Sequence, residues 1–443
     1  MWDTHSGLKD LGTIWTRISM NNSNYKICVI GLGYVGLPLA RLFSTKFSTV
    51  GFDMNKARVD ALMAGHDATL EVSDELLQEA IQKHGFTCTT NIEAIRDCNV
   101  YVVAVPTPVD HNHHPDLRPL IGASETVGKV ISKGDIVIYE STVYPGVTEE
   151  ECLPVVEKVS GLKFNEDFFA GYSPERINPG DKEHTVEKII KVTSGSTPEI
   201  ADIVDGLYNA VLVNGTHKAP SIKVAEASKI IENSQRDVNI AFMNELAKIF
   251  NAMGIDTRDV IEAASSKWNF IKMSPGLVGG HCISVDPYYL IQKAQVYGVL
   301  PRVMSSARNL NDGMGAYVAE QTIKCMNKKG VMVKDAKILI LGITFKENCP
   351  DIRNTKVIDI YHTLEEYTSN ITVFDPWASK EQIAHEYGIE VTNDLPQDKY
   401  DAVILAVAHN DFKDLDIKSL LNDNAVVYDV KGALDRSLVD SRL

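Results

Sequence analysis

The sequence feature that most constrains the fold is a glycine pattern, G-L-G-Y-V-G at residues 31–36. Residues 25–30 before it are apolar and rich in β-branched side chains, which predicts a strand. Residues 37–47 after it have the apolar periodicity of a helix. A strand, a G-x-G-x-x-G turn and a helix in this order are typical of a dinucleotide-binding fold. The first glycine makes the tight turn, the second admits a pyrophosphate, and the third lets helix and strand pack closely.

A carboxylate follows this turn at the spacing that a dinucleotide site requires. Residues 48–52 predict a second strand, which ends at Asp53. An acid at this position accepts hydrogen bonds from the adenosine ribose and repels a 2′-phosphate, which favours NAD over NADP. Arg58 lies near enough in sequence to cover the adenine or, as the less favoured alternative, to bind a 2′-phosphate. The predicted NAD-binding residues in this segment are Gly31, Gly33, Tyr34, Val35, Gly36, Asp53 and Arg58.

Two further predicted strands end close to threonines. Residues 100–105 precede Thr107, and residues 135–140 precede Thr142. In an open parallel sheet the ligand lies beyond the carboxyl ends of the strands, so both side chains are expected to touch the cofactor. The alternative is that they cap helices. Residues 169–180 predict a strand end that opens into a loop carrying Glu175 and Arg176. That loop is either a surface turn with an ion pair or the source of a general acid or base.

A single cysteine stands in a glycine-rich segment at residues 275–290. Gly279 and Gly280 precede Cys282, and Asp286 follows four residues later. Glycines beside a reactive side chain let the backbone bend and let a ligand approach. A thiol acts as a nucleophile only as the thiolate, which a helix N-terminus or a nearby cation favours. The residues alone leave two interpretations open, a nucleophile and a buried structural cysteine.

The middle of the chain predicts long helices. Residues 221–253 form the longest helical pattern, a candidate dimer surface, and residues 256–265 predict another helix. Lys229 and Asn233 lie four residues apart and share a face of the first helix, where a solvated surface is the ordinary explanation for a lysine. Residues 301–328 predict a second long helix.

The last part of the chain repeats the organisation of the first. Strands are predicted at residues 336–341, 370–374, 400–407 and 425–430, and Asp375 ends its strand as Asp53 does. The glycine fingerprint is missing, but Lys346 and Arg353 occur at the corresponding loop and predicted helix start. This arrangement suits a phosphate-bearing ligand other than a dinucleotide, and a purely structural α/β domain is the alternative.

Size and composition exclude several classes of function. A chain of 443 residues is expected to form two or three domains. Its formal net charge of −15 argues against a nucleic-acid surface. Its seven cysteines form no C-x-x-C pair, so we expect no disulfide framework, no metal site and a reducing, cytoplasmic compartment. The acidic and histidine-rich residues 110–116 have no partner cluster, and no apolar run approaches the roughly 18 residues of a membrane span.

Five separated motifs together resemble one family. They are GLGYVG with Asp53, SPER, EASKIIEN, PGLVGGHCISVDPYYL and GITFKENCPDIRN, in this order over nearly the whole chain. This set resembles the UDP-glucose/GDP-mannose dehydrogenase family. KWNF followed by the cysteine motif is most similar to the bacterial UDP-N-acetylhexosamine 6-dehydrogenases, which make uronic acids for surface polysaccharides such as capsule and O-antigen.

The resemblance implies an α/β fold with two Rossmann-like doubly wound domains joined by a long central helix and a helical middle domain. The implied divisions are an extension at 1–24, an NAD-binding domain at 25–213, a central dimerisation domain with the cysteine loop at 214–330, and a UDP-sugar-binding domain at 331–443. It also implies a homodimer through the central helices, or a larger oligomer built from it.

The resemblance further implies roles for individual residues. Cys282 would be the nucleophile, Lys229 and Asn233 would act at the reacting carbon, and Asp286 would assist water. Glu175 would be an acid or base, and Thr142 would position water or the cofactor. Arg353 would contact the cofactor. The implied substrate contacts are Glu175, Arg176, Lys229, Asn233, Lys267, Gly279, Phe345 and Lys346. One departure is Lys267, which stands where many members have an arginine that reaches across the dimer, and a lysine lacks the bidentate fork.

The implied reaction is the NAD-dependent four-electron oxidation of C6 of UDP-N-acetylglucosamine or its galacto epimer through a Cys282 thiohemiacetal and thioester. UDP-glucose, UDP-N-acetylmannosamine and GDP-mannose are alternative substrates. Two alternatives differ in kind. One is a single-hydride dehydrogenase with a structural Cys282, and the other is a non-catalytic NAD-sensing scaffold.

Overall fold

The computed structural model describes residues 25–109, 115–176, 186–280 and 282–443. The predictions made for residues 1–24, for residues 110–114 and for the loop beyond Arg176 lie outside these described residues. The chain divides into two compact units, one ending at Ile231 and the other beginning at Glu232.

The first unit is built on a mostly parallel sheet of eight strands in the order β3-β2-β1-β4-β5-β6-β7-β8. The first six strands are parallel, β7 runs antiparallel to β6, and β8 is parallel to β7. This order is that of a doubly wound dinucleotide-binding sheet with two added strands. The strands are β1 Lys26–Ile30, β2 Ser48–Phe52, β3 Thr87–Thr89, β4 Val100–Val103, β5 Ile136–Tyr139, β6 Phe169–Tyr172, β7 Lys191–Gly195 and β8 Thr216–Lys218.

Helices lie on both faces of this sheet, which explains why its central strands are apolar throughout rather than alternating. Ile27 and Val29 of β1 belong to one buried cluster, whereas Cys28 and Ile30 belong to another on the opposite face. The helices are α1 Gly36–Ser44, α2 Lys56–Met63, α3 Asp74–His84, α4 Arg118–Gly128, α5 Leu153–Ser160 and α6 Pro198–Asn209.

The long helix predicted in the middle of the chain is present as α7, Ile222–Met253. Its 32 residues span about 48 Å. The next helix, α8, covers Thr257–Ser265, and the Asp256 carboxylate caps it by accepting hydrogen bonds from the N–H groups of Arg258 and Asp259.

The second unit contains a parallel five-stranded sheet in the order β10-β9-β11-β12-β13. It has buried clusters on both faces of the sheet. Its strands are β9 Ile338–Leu341, β10 Ile371–Phe374, β11 Tyr400–Leu405, β12 Leu421–Asp429 and β13 Ser441–Arg442. Its further helices are α9 Asp286–Val296, α10 Arg302–Asp312, α11 Met314–Lys328, α12 Val357–Glu365 and α13 Lys380–Tyr387.

Two helix predictions are wrong in detail. Residues 301–328 form α10 and α11 rather than one helix, because Gly313 between them has ψ −2°, far from the helical value of about −42°. The helix predicted to open near Arg353 begins only at Val357. Asn354 has φ +50°, a left-handed conformation that interrupts a right-handed helix.

Candidate active site

The glycine turn between β1 and α1 has the geometry that the motif predicts. Gly31 has φ +91°, and its N–H donates a hydrogen bond of 2.8 Å to the Phe52 carbonyl. A Cβ on Gly36 would collide with the Gly31 carbonyl, so the helix packs directly on the turn. Apart from Gly33 and its two chain neighbours, no described residue has an atom within 4 Å of where a Cβ on Gly33 would be. The turn therefore leaves open the approach that a pyrophosphate needs, at the N-terminus of α1.

Asp53 and Arg58 both bind this turn. Asp53 Oδ2 accepts the Leu32 N–H at 2.9 Å, and Arg58 Nε donates to the Leu32 carbonyl at 2.9 Å. Arg58 Nη1 also pairs with the buried Asp67 carboxylate at 2.7 Å. Because its charge is already matched by a carboxylate, Arg58 has less to offer a 2′-phosphate, which strengthens the prediction of NAD over NADP.

The two predicted cofactor threonines lie against each other. Thr107 Oγ1 donates a hydrogen bond of 2.7 Å to the Thr142 carbonyl, and Ser141 Oγ donates one of 2.6 Å to the Val105 carbonyl. The loops after β4 and β5 are thus joined. The alternative that the two threonines cap helices is wrong. Leu117 is the cap of α4, and neither Thr107 nor Thr142 caps a helix in the described chain.

A buried glutamate that sequence reasoning missed ties α7 to the loop after Thr142. The Glu226 carboxylate accepts the N–H of Gly146 at 2.6 Å and that of Thr148 at 3.0 Å. Burial raises the pKa of Glu226 to about 7, although the two N–H donors oppose the shift. Glu226 lies one helical turn before Lys229 on α7, so one contact orients both the loop and this stretch of helix.

Glu175 lies in a buried charge cluster and not in a surface turn. Its side chain is 8% exposed, and its Oε2 lies 3.7 Å from Lys191 Nζ. The Lys191 ammonium also binds Glu140 Oε2 at 2.7 Å and the Pro174 carbonyl at 3.2 Å. Lys191 therefore joins β5, the Glu175 loop and β7. The adjacent Arg176 donates from Nη1 to the Ile190 carbonyl at 2.7 Å.

The charges in this cluster depend on one another. Burial raises the pKa of Glu140 to about 7, against the attraction of Lys191. Burial also disfavours the ammonium of Lys191, but the nearby Glu140 and Glu175 carboxylates outweigh burial and raise the pKa of Lys191. Tyr208 adds a hydrogen bond to Glu140 Oε1. The Lys191 ammonium lies between the carboxylates of Glu140 and Glu175. It therefore holds protons close to the loop that carries Glu175, the predicted acid or base.

Lys229 and Asn233 are both buried on α7, with 7% and 6% of their surfaces exposed. This differs from the solvated face that usually explains a helical lysine. Asn233 Nδ2 donates to Asp286 Oδ2 at 2.5 Å, and Asp286 is buried as well. The second unit thus brings together two predicted site residues that are far apart in the sequence.

Cys282 lies in the turn that precedes α9. Its carbonyl accepts the N–H groups of Val285 at 3.1 Å and Asp286 at 2.8 Å, so it occupies the position before the first helical turn. Its side chain is half-buried, not sequestered in the core. The N-terminus of α9 follows within the next few residues, and a helix N-terminus favours a nearby negative charge. None of the seven cysteines, each within the described residues, forms a disulfide.

The glycines before Cys282 are packed against the loop that follows β9. A Cβ on Gly279 would come within 2.7 Å of the Asn354 carbonyl oxygen, and one on Gly280 within 2.9 Å of the Phe345 ring. Asn354 Nδ2 donates to the Gly280 carbonyl at 3.1 Å. Phe345 is adjacent to Lys346, so the predicted nucleotide loop and the cysteine loop are in direct contact within this unit.

The loop after β9 has the same glycine turn and carboxylate contact as the loop after β1. Gly342 has φ +86° and donates from its N–H to the Phe374 carbonyl at 2.8 Å. Asp375 Oδ2 accepts the Ile343 N–H at 2.6 Å, as Asp53 accepts that of Leu32. Asp375 is fully buried and also binds His409 Nε2 at 3.1 Å. Burial opposes its charge, but the hydrogen bonds from His409 and Ile343 outweigh burial and lower the pKa of Asp375.

The structure also describes the remaining predicted residues. Arg353 forms a two-pronged pair with Asp351, through Nε at 2.9 Å and Nη2 at 2.5 Å. Lys267 is exposed just after α8, beside Trp268, which is 92% exposed.

No helix of the described chain has both the length and the apolar character to cross a membrane. The described residues also contain no cluster of three or more His, Cys, Asp or Glu side chains suited to a metal ion.

Three family models match the sequence in succession. They describe the UDP-glucose/GDP-mannose dehydrogenase family and match its NAD binding domain at residues 25–212, its central domain at 223–313 and its UDP binding domain at 339–436. This chain belongs to the UDP-glucose/GDP-mannose dehydrogenase family. It is a member of a nucleotide-sugar dehydrogenase family, and NAD is the cofactor of its first domain.

Individual relatives of this dehydrogenase align over nearly their whole length. It is 58% identical to a UDP-N-acetyl-D-glucosamine 6-dehydrogenase of Pseudomonas aeruginosa over 94% of this chain and 99% of that protein. It is 54% identical to a protein of the same description from Salmonella typhi, over 94% and 98%. The structure matches a UDP-D-ManNAc dehydrogenase from Pyrococcus horikoshii with a TM-score of 0.85 and 27% identity, over 94% of this chain and 98% of that one.

Sequence reasoning missed several buried groups that the structure places beside predicted site segments. Glu140 directly precedes Ser141-Thr142, and Glu226 stands within the EASKIIEN motif, so position beside a motif was an available signal for these two. Lys191 and His409 had none, because a lysine at the start of a strand and a lone histidine are ordinary. Their importance follows from burial among carboxylates, which only the packed structure reveals.

Proposed function

We propose that this chain oxidises C6 of UDP-N-acetyl-D-glucosamine to the carboxylate, using two NAD per sugar, in the synthesis of a surface polysaccharide. The observation that carries this proposal is the half-buried Cys282 thiol in the turn before α9, four residues before an Asp286 that is held by Asn233. The description of the two relatives at 58% and 54% identity supports the choice of sugar. The galacto epimer is the next substrate to test.

The first oxidation converts the primary alcohol into an aldehyde. A hydride leaves C6, and the hydroxyl proton passes to a base. NAD, when bound at the glycine turn, supplies the hydride acceptor in both oxidations. We assign acid and base chemistry to the Glu175 loop, where the Lys191 ammonium gives a carboxylate a fixed orientation. Lys229 and Asn233 are the proposed donors to the oxygen on C6, where negative charge develops.

The second oxidation uses Cys282. The thiolate forms a bond to C6 of the aldehyde, and the carbonyl oxygen takes up a proton, which gives a thiohemiacetal. Loss of a second hydride from C6 and of that proton gives a thioester. Water then adds to the thioester, the C6–S bond breaks, the thiolate leaves, and the acid is released. A covalent adduct explains how one site oxidises twice without losing the aldehyde.

Asp286 suits the hydrolytic step and not the activation of the thiol. A carboxylate close to a thiolate disfavours the thiolate charge, whereas it can accept a proton from attacking water. The hydrogen bond from Asn233 Nδ2 at 2.5 Å orients that carboxylate. We further propose that Thr142 positions water or the cofactor, that Arg353 contacts the cofactor, and that the sugar nucleotide is bound by Arg176, Lys267, Gly279, Phe345 and Lys346.

We also propose the domain division at residues 25–213, 214–330 and 331–443, a homodimer through the central helices, and a reducing, cytoplasmic compartment. Exposed apolar side chains on α7 support the dimer: Phe242, Ile249 and Met253 are about half exposed in the single chain. Trp268, next to Lys267 in the sequence, is a further exposed apolar side chain of the second unit. Several exposed apolar side chains along one helix are a feature of protein interaction surfaces.

The test is the number of NADH molecules formed per sugar, with limiting UDP-N-acetylglucosamine and excess NAD, followed to completion. We expect two, with the uronic acid as product. Cys282→Ser should form no acid while still binding NAD and the UDP-sugar, and Cys325→Ser, a half-buried cysteine on α11, is the matched control that should keep turnover. One NADH per sugar, or normal acid formation by Cys282→Ser, would overturn the covalent route. No NADH with either epimer would favour the non-catalytic alternative.

A further inference from the structure

The turn that precedes the cysteine is held by contacts from another part of the second unit. Gly280 has φ +80°, a left-handed backbone conformation that residues other than glycine rarely adopt. Its carbonyl oxygen accepts two hydrogen bonds, one from Asn354 Nδ2 at 3.1 Å and one from the Ser284 hydroxyl. Ser284 belongs to the cysteine segment itself, whereas Asn354 comes from the loop of the UDP-binding domain.

Asn354 contacts the turn with its backbone as well. Its carbonyl oxygen lies so close to Gly279 that a Cβ there would be 2.7 Å away, and the Phe345 ring covers Gly280 in the same manner. Asn354 itself has φ +50°. A non-glycine residue in the left-handed region is uncommon, and asparagine is among the residues that tolerate it. Such a backbone persists only where its surroundings hold it.

We propose that Asn354 is a positioning residue for Cys282: its side-chain amide holds the Gly279–Gly280 turn so that the thiol is presented at the carbon to be oxidised. The inference rests on the proposed function, because Asn354 would position the thiol for the covalent step of that reaction and would take part in no step itself. It adds a residue of the UDP-binding domain to the apparatus of the covalent step. Since Phe345 is adjacent to Lys346, the loop that is proposed to hold the nucleotide also supports the turn that carries the thiol.

The geometric requirement of thiol addition gives the expected magnitude. Nucleophile and carbonyl carbon must lie at roughly 3–3.5 Å with aligned orbitals, and a misplacement of about 1 Å costs up to about 100-fold in rate. The hydrogen bond from Asn354 acts on the peptide two residues before Cys282. Its loss should therefore slow the covalent step far more than it weakens binding of the nucleotide.

Two substitutions separate the amide from the backbone conformation. Asn354→Gly keeps the left-handed backbone without strain and removes only the side-chain donor. Asn354→Asp keeps the size and the tolerance for this conformation, but a carboxylate cannot donate to the Gly280 carbonyl. Asn424→Gly is the matched control, because Asn424 is also an asparagine with positive φ, +61°, and lies exposed on β12.

The experiment measures kcat, KM, NADH per sugar and the alkylation rate of Cys282 by iodoacetamide, with Cys325 in the same protein as the reference thiol. For Asn354→Gly and Asn354→Asp we expect kcat to fall about 10- to 100-fold, with less than about a 3-fold change in KM for the UDP-sugar. NADH per sugar should fall below two, with aldehyde trapped in solution, and the ratio of Cys282 to Cys325 alkylation should change. Asn424→Gly should behave as the unsubstituted protein.

Wild-type kcat and an unchanged alkylation ratio in both Asn354 variants would overturn the inference. So would an equal loss of activity in Asn424→Gly, since this would point to a general effect on stability. A single NADH per sugar in the unsubstituted protein is a different result: it refutes the proposed covalent route itself. The alkylation ratio, which needs no turnover, still reports in that case whether Asn354 positions the thiol.

Discussion

Asn233 on α7 donates a hydrogen bond to Asp286 at the start of α9, across 2.5 Å and 53 residues of sequence. Both side chains are buried, so the contact is protected from water. A carboxylate in such a place is oriented by its donor, and it lies one helical turn after the thiol that we propose as nucleophile. We therefore expect the hydrolytic step that releases the acid to depend on the hydrogen bond between Asn233 and Asp286.

Asn233→Ala should lower kcat for acid formation by about 10- to 100-fold. Asn233→Asp should be worse, because it places a second carboxylate against Asp286. Binding of NAD should change little in both variants. Steady-state kinetics together with a separate measurement of NAD affinity checks this. Activity equal to that of the unsubstituted protein in both variants would show that Asp286 does not need its donor.

The buried ammonium of Lys191 is predicted to stabilise the Glu175 loop through two carboxylates. Lys191→Met should cost about 3–5 kcal/mol in the free energy of unfolding, because it leaves Glu140 buried without a cation. The double variant Glu140→Gln/Lys191→Met should recover part of this loss. Urea denaturation of the single and double variants gives the coupling energy. The control is Lys218→Met, which breaks an exposed pair with Asp202 and should cost under about 1 kcal/mol.

The raised pKa of Glu226 predicts a specific dependence of stability on pH. The folded state binds the proton more tightly than the unfolded state, in which the carboxyl has its ordinary pKa of 4.5. The stability due to this group is therefore fully present below pH 4.5 and is lost as the pH rises through about 7. Glu226→Gln should remove this loss, which makes the change in stability between pH 5 and pH 8 smaller by about 1–3 kcal/mol.

Thermal or urea denaturation of Glu226→Gln at several pH values is the measurement. Glu245→Gln, an exposed glutamate on the same helix, is the control and should leave the pH dependence as it is. Identical pH dependence in the Glu226 variant and the unsubstituted protein would mean that Glu226 stays charged on burial, stabilised by the two N–H donors.

Asp53 is predicted to set the preference between the two nicotinamide cofactors. Asp53→Asn keeps an oxygen that can accept the Leu32 N–H but removes the charge that repels a 2′-phosphate. We expect kcat/KM for NAD to fall about 10-fold and the ratio of NADP to NAD activity to rise. Asp60→Asn, which changes an exposed residue paired with Lys56 on α2, serves as the control. An unchanged cofactor ratio would contradict the assignment of Asp53.

Much of the fold was readable from the sequence, because the determining patterns are local. The glycine turn, the apolar strands and the periodicity of α7 each depend on residues a few positions apart, and each is found where it was predicted. The break at Gly313 was not readable, because helical periodicity continues on both sides of a single glycine. The late start of α12 was not readable either. Only the backbone of the folded chain shows that Asn354 is left-handed.

Local patterns in the chain specify the dinucleotide turn, the order of the α/β units and the identity of the candidate thiol, since glycine conformations, hydrophobic periodicity and motif spacing are properties of neighbouring residues. Packing of the helices and strands specifies which side chains support them. Lys191 meets Glu140 over 51 residues, Glu226 meets Gly146 over 80, and Asn354 meets Gly280 over 74. Such contacts leave no periodic signal. Their effect on charge comes from burial, which exists only once the elements are packed.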